Sequence, residues 1–124
     1  MSTRLSAADL KKIDNFNNAL NGIMKIAYNL DPENIIVTDI KRKISLGINI
    51  SPLLCRKVMT PHLIKYKDKI EFRNVDFFTT PEITEQLDDD LLKYLFQFIY
   101  DNWFTHDEIH DEVWKKIDIL ILNL

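Results

Sequence analysis

The chain has 124 residues, of which 46% are hydrophobic and 28% are charged, which is typical of a folded globular domain and excludes a disordered chain. Residues 1–75 hold 13 Lys and Arg against 7 Asp and Glu, and residues 76–124 hold 3 against 12. The N-terminus lacks a signal-peptide pattern and no run reaches roughly 18 apolar residues, so we expect an intracellular protein without membrane contact.

Two helices are predicted in the first part of the chain. One runs from about Ala7 to Asn29, capped by Ser6, and its apolar residues recur every three or four positions: Leu10, Ile13, Phe16, Leu20, Ile23, Ala27 and Leu30. The triplet Asp31-Pro32-Glu33 then predicts an N-cap and the start of a second helix, which runs to about Ile48. Its predicted core stripe consists of Ile36, Ile40, Ile44 and Ile48.

The middle of the chain is less regular. Ser51-Pro52 repeats the cap-and-proline signal and predicts a short helix, which Pro61 should break or kink. Residues 69–78 predict an irregular connection containing a short extended stretch, with Phe77 and Phe78 filling the core from a loop. The alternation that suggests an extended stretch involves Ile70, Phe72 and Val75.

The last part of the chain predicts further helices. Thr80-Pro81-Glu82 indicates a start, followed by one long helix to about Trp103 or by two helices separated near Asp88. A capping box from Thr105 to Glu108 opens the final helix, whose apolar face contains Ile109, Val113, Ile117, Leu120 and Leu124. We therefore predict one all-α domain over residues 1–124, a compact bundle of about five helices with an irregular connection around residues 68–80.

Possible catalytic and metal-binding groups are few. His106 and His110 are four residues apart and could chelate one ion on a helix, but no third histidine follows them. The run from Asp88 to Asp90 could bind Mg²⁺ or Ca²⁺, yet it lacks a turn glycine and is more typical of a solvated helix start. The glycines Gly22 and Gly47 stand alone, which excludes a phosphate-binding loop. The pattern predicts neither an enzyme nor a cofactor.

A cluster of basic residues is the main candidate site. Between residues 41 and 73 only Asp68 and Glu71 oppose nine cations: Lys41, Arg42, Lys43, Arg56, Lys57, Lys65, Lys67, Lys69 and Arg73. Three interpretations are open: a solvated face of the bundle, a docking face for an acidic protein, and a phosphate-binding face on nucleic acid. Aromatic residues are sparse in the cluster and no DNA-binding motif is present, which favours protein over nucleic acid.

The layout of the chain carries a resemblance. A helix ending in Tyr28-Asn-Leu-Asp-Pro32 leads to Ile40-Lys-Arg-Lys-Ile44 and Asn49-Ile-Ser-Pro-Leu53, and later to Asp76-Phe-Phe78 and Trp114. In this order the chain resembles small uncharacterised all-helical proteins of large DNA viruses. The resemblance implies a viral accessory or virion-associated protein, in the host cytoplasm or the virion, and it implies no catalytic residue.

The sequence thus predicts a non-enzymatic interaction or structural protein that docks through its basic face. A protein partner or self-association is favoured over nucleic acid. One variant of self-association is head-to-tail, with the basic half of one copy on the acidic half of the next. The alternative function is a nucleic-acid-associated factor that binds phosphates through the same face.

Overall fold

The computed structural model describes residues 6–79 and 90–124, and within them the fold is all-α, as predicted. Six α-helices pack together: α1 (Ala7–Leu30), α2 (Ile35–Ile50), α3 (Leu54–Lys65), α4 (Lys67–Glu71), α5 (Asp90–Trp103) and α6 (His110–Leu122). Two short 3-10 helices, Val75–Thr79 and Asp107–Ile109, precede α5 and α6 along the chain. None of the described helices is long and apolar enough to cross a membrane.

Helix α1 lies at the centre of the bundle. A capping box starts it, since the Ser6 hydroxyl accepts the Asp9 N–H at 3.1 Å and the Asp9 carboxylate accepts the Ser6 N–H at 3.3 Å. Its buried face holds Ile13, Phe16, Asn17, Ala19, Leu20, Ile23, Met24 and Ala27. This face matches the predicted stripe except at its two ends: Leu10, in the first turn, is exposed, and Leu30, the last residue of the helix, is half-buried.

Helices α2 and α6 pack on α1 from different sides. The short turn after Leu30 makes α2 antiparallel to α1. Helix α6 is also antiparallel to α1, because Asn15 contacts Asn123 near one end and Ile26 shares a groove with Ile109 near the other. The end of α1, the start of α2 and the start of α6 therefore lie at the same end of the molecule.

An aromatic cluster fills the core between α5, α6 and the first 3-10 helix. Phe77 and Phe78 are fully buried, as predicted, and their rings meet at 5.4 Å between centroids. The Phe78 centroid lies 5.9 Å from that of Phe96, 5.6 Å from Trp103 and 5.5 Å from Trp114. Such spacing lies within the 4.5–7 Å range of favourable aromatic pairs.

Two predicted helix starts are wrong by a few residues. Asp31 is the C-cap of α1, and α2 is capped by Asn34, whose Oδ1 accepts the Val37 N–H at 3.1 Å. Ser51 likewise ends α2, and α3 begins at Leu54 without a side-chain cap. In both turns the X-Pro dipeptide occupies the connection, because the residue before proline avoids the helical conformation.

The start of α2 changes which side chains face the core. With Asn34 as the cap, the buried stripe is Val37, Ile40 and Ile44. Ile36, predicted in the core, is 52% exposed because it lies at the edge of this stripe.

Three further local predictions are wrong in whole or in part. Pro61 does not break α3, which continues through it with Met59 and Leu63 on either side buried in the core; the alternative, a kink, stays a prediction. The predicted extended stretch over residues 70–75 is instead α4, a turn and the start of a 3-10 helix. The Thr105 hydroxyl bonds the Asn102 carbonyl rather than capping a helix. The predicted start at residues 80–82 and the break near residue 88 lie outside the described residues.

Candidate docking surface

The nine predicted basic residues differ in how far they are engaged within the molecule. Arg73 is used inside the fold: its guanidinium binds both oxygens of Asp118 on α6 at 2.7 and 2.6 Å and lies 5.4 Å from the Trp114 ring centroid. The hydrogen bonds to Asp118 raise the pKa of Arg73, so this cation stays charged. Arg73 therefore belongs to the contact between the middle of the chain and α6.

Arg56 is also engaged within the molecule. Its Nε donates to the Asn123 carbonyl oxygen at 2.9 Å, and the side chain is half-buried. This bond satisfies a carbonyl just after α6, where the helix leaves its last acceptors unpaired. Arg56 thus links α3 to the end of α6 and is not a free docking cation.

The three cations on α2 are partly neutralised by neighbours. Arg42 and Lys43 bind Asp39 on the same helix at 2.7 and 3.0 Å, and these bonds, first from Lys43 and then from Arg42, lower the pKa of Asp39. The Lys41 ammonium lies 5.0 Å from the centroid of the Tyr28 ring. Because Asp39 offsets one of the two cations that it binds, Arg42 and Lys43 together carry only one net positive charge toward a partner.

The cations on α3 and α4 differ in their surroundings. Lys65 and Lys69 lie 5.6 and 5.7 Å from the Tyr66 ring centroid, and Lys67 is 3.9 Å from Glu71. Lys57 is exposed, and within the described part of the chain its ammonium has no partner. Among these four, Lys57 is the cation best placed to bind another molecule.

Exposed apolar residues at the α2–α3 junction were missed by sequence reasoning. Leu46 and Ile50 lie on the outward side of α2, and the turn at Ser51 leads directly to apolar residues of α3. We call the following set the α2–α3 surface: Leu46, Ile50, Leu53, Leu54 and Val58, with Arg42, Lys43 and Lys57 at its rim. Leu46 and Ile50 are four residues apart and share one side of α2, and Leu54 and Val58 share one side of α3 in the same way. The turn at Ser51 joins the two pairs.

A signal for this patch was present in the sequence. Leu46 is 53% exposed because it lies opposite the buried stripe of Val37, Ile40 and Ile44, and Ile50, at the end of α2 and to the side of that stripe, is 83% exposed. Placing α2 in the register set by the Asn34 cap would have shown that Leu46 and Ile50 face outward. The sequence has too many apolar residues in this region for one buried stripe.

The two histidines form hydrogen bonds with different partners. His106 precedes the 3-10 helix and its Nδ1 donates to Glu108 at 3.2 Å, while His110 begins α6 and its Nε2 donates to the Trp103 carbonyl oxygen. The His110 ring also stacks on Trp103 at 4.0 Å between centroids. The premise that both histidines share one helix is therefore wrong. Within residues 6–79 and 90–124, no group of three His, Cys, Asp or Glu is placed to hold a metal ion.

Acidic groups collect near the start of α6. The pKa of Glu108 is lowered by the hydrogen bond from its own backbone N–H and then by the one from His106. The first turn of α6 adds Asp111 and Glu112, where the positive end of the helix dipole favours carboxylates. This acidic end is well separated from the α2–α3 surface.

Comparison with family models, curated proteins and solved structures found no match to this chain. The resemblance to viral helical proteins thus stays a prediction.

Proposed function

We propose that this chain is a non-enzymatic interaction protein that docks through the α2–α3 surface onto an apolar, acidic surface of a protein partner. The observation that carries this proposal is the exposure of five apolar side chains on either side of the α2–α3 turn, with three cations on the same two helices. Exposed apolar patches with a polar rim are typical of protein-binding sites on folded domains. The partner would cover the apolar centre and place carboxylates near Arg42, Lys43 and Lys57.

The apolar share of this surface favours protein over nucleic acid. Phosphate groups are bound by cations, whereas apolar side chains gain nothing from a phosphate backbone. Arg56 and Arg73 are engaged inside the fold, and Arg42 and Lys43 share Asp39. The alternative function, a nucleic-acid-associated factor, would rest mainly on lysines of α3 and α4.

The viral context is a further part of the proposal. It is supported by the resemblance of the chain's layout to small helical proteins of large DNA viruses. Under that hypothesis the docking occurs in the host cytoplasm or within the virion, and the chain acts as an accessory or structural component.

A binding titration with two defined probes tests the docking surface. The first probe is a labelled amphipathic helical peptide with leucines on one face and glutamates at the rim, and the second is labelled duplex DNA. Fluorescence anisotropy is recorded at about 50 and about 200 mM salt, because phosphate binding weakens steeply over that range. The variants are Ile50→Ser, which removes an exposed apolar group, and Lys57→Glu, which reverses the free cation. Lys67→Glu is the control, with the same charge change on α4.

The proposal predicts that the peptide binds and that Ile50→Ser and Lys57→Glu each weaken binding by about tenfold, as for central interface residues. Lys67→Glu should leave peptide affinity unchanged. Salt-sensitive DNA binding that depends on Lys67 as much as on Lys57 would favour the nucleic-acid factor instead. Failure of the peptide to bind the unmodified chain would overturn the proposed docking surface.

A further inference from the structure

A groove with an apolar floor and an acidic rim lies at the other end of the molecule. It runs between the last turns of α1 and the start of α6, encloses about 230 Å³, and is lined by Ile26, Asn29, Leu30, Glu108, Ile109 and Glu112. Ile109 is buried and Ile26 and Leu30 are half-buried, whereas both glutamates are exposed. This volume is below the roughly 300–1,000 Å³ of small-molecule pockets, so the groove suits side chains of a protein segment.

The charge around this groove is negative. Residues 26–38, from the last turn of α1 into α2, and residues 94–114, from α5 into α6, contain seven Asp and Glu. The cations that flank these segments are fewer, Lys25, Lys41, Lys93 and Lys115, and Lys115 lies 3.8 Å from Glu112, so the acidic residues still outnumber the cations at this end. Among the acidic residues, Asp107 and Asp111 are exposed next to the groove-lining Glu108 and Glu112. A basic surface would therefore be attracted to this end and would find apolar floor residues there.

The groove and the α2–α3 surface both contain apolar residues, carry charges of opposite sign, and lie near different parts of α1. The groove offers an apolar floor inside carboxylates, and the α2–α3 surface offers exposed leucines and isoleucine beside Lys57. The turn that joins α2 to α3 is fixed to α1 by a 2.8 Å hydrogen bond from Asn17 Nδ2 to the Pro52 carbonyl oxygen. Asn17 and Asn29 are about 18 Å apart along α1, at 1.5 Å per residue, so one copy cannot close the contact on itself.

We infer that the partner of the α2–α3 surface is a second copy of this chain, which receives it in the acidic groove between α1 and α6. The inference rests on the proposed function and names its partner. Because the two complementary surfaces are different patches, the contact is heterologous, and each added copy leaves one free surface at each end of the assembly. Charge attraction across the contact makes it sensitive to salt.

Sedimentation velocity with two complementary variants tests this arrangement. The first variant, Ile50→Ser with Lys57→Glu, disables the α2–α3 surface, and the second, Glu108→Lys with Glu112→Lys, disables the groove. All four positions are outside the core, and far-ultraviolet circular dichroism checks that the variants stay helical. Lys67→Glu again serves as the control.

The unmodified chain and the control should form larger species as concentration rises at about 50 mM salt and return to monomer at about 500 mM. Each double variant alone should remain monomeric or nearly so. Their equimolar mixture should form a dimer and no larger species, because the first variant keeps only the groove and the second keeps only the α2–α3 surface. A monomeric unmodified chain at low salt, or a mixture that stays monomeric, would overturn the second-copy partner.

The peptide titration separates the two failures. If the chain stays monomeric while the acidic amphipathic peptide binds the α2–α3 surface, the second copy is the wrong partner and the docking function stands. If the chain neither associates nor binds the peptide, both proposals fail. A dimer formed by either variant alone would show a symmetric contact elsewhere and would also contradict the inference.

Discussion

The guanidinium group of Arg73 binds both carboxylate oxygens of Asp118 on α6, at 2.7 and 2.6 Å. This contact joins the basic half of the chain to the acidic half within one molecule. Part of the charge asymmetry in the sequence is therefore used for internal docking. The other charges, which include those at the α2–α3 surface and at the acidic end, are not used in this contact.

A double-mutant cycle measures how much this ion pair stabilises the fold. Both side chains are close to half exposed, at 45% and 43%, so solvent screening limits the pair despite its bidentate geometry. Urea unfolding of Arg73→Ala, Asp118→Ala and the double variant should give a coupling energy of about 1 kcal/mol.

The Lys67–Glu71 pair is the matched control for that cycle. It is a single contact at 3.9 Å on an exposed helix, and its coupling energy should be about 0.3 kcal/mol or less. Equal coupling energies for the two pairs would contradict the role given to Arg73.

Phe78 is the aromatic residue on which the core depends most. Its ring contacts Phe77, Phe96, Trp103 and Trp114, so Phe78→Ala should lower the free energy of unfolding by about 3–5 kcal/mol. Phe72→Ala is the control, because Phe72 is 83% exposed and its loss should change stability by less than about 0.5 kcal/mol. Similar losses at the two positions, measured by urea unfolding, would contradict this core.

Gly47 is expected to be replaceable by alanine. It lies inside α2, and a β-carbon built there has no atom within 4 Å. No neighbouring helix in the described part of the chain therefore needs a glycine at this position. Gly47→Ala should raise the free energy of unfolding by about 0.5–1 kcal/mol through helix propensity.

Gly22→Ala is the informative comparison for Gly47→Ala. A β-carbon at Gly22 would lie 2.9 Å from Cε of Lys116, so that flexible side chain must move and the gain should be smaller. Thermal unfolding of both variants checks the order, and a destabilised Gly47→Ala would show an unseen contact at α2.

Asp39 gives the fold a pH dependence. Because its folded pKa lies below the ordinary value near 3.9, its contribution to stability is present above that value and is lost as pH falls through the folded pKa. As pH falls from about 5 to about 2, the free energy of unfolding should decrease less for Asp39→Asn than for the unmodified chain. Urea unfolding across this range measures the difference, and identical pH profiles would show that the Asp39 bonds do not persist in solution.

The helical class and the core could be predicted because they follow from apolar periodicity. The Ser6 cap and the stripe from Ile13 to Ala27 specify α1 almost to the residue. Helix starts after proline were less predictable, since Asp31 and Asn34 are both good caps and only tertiary packing selects between them. The same ambiguity changed which side chains of α2 face the core.

The candidate site could be predicted only in part, because charge alone does not reveal which cations are engaged. Arg56 and Arg73 find partners more than 40 residues away, at Asn123 and Asp118. Such contacts leave no local pattern in the sequence. The exposure of Leu46 and Ile50 was not predicted for another reason: an apolar residue in a predicted helix is first assigned to the core.

Amide NMR of the isotopically labelled chain tests the central claim most directly, because it locates contact residue by residue. On titration with the acidic amphipathic peptide, the largest chemical-shift changes should fall between residues 42 and 58 and should disappear in Ile50→Ser with Lys57→Glu. Signals of α5, whose residues Leu95, Phe96, Ile99 and Trp103 are buried, should stay in place. Changes centred on α4 and α5, or none at all, would contradict docking through the α2–α3 surface.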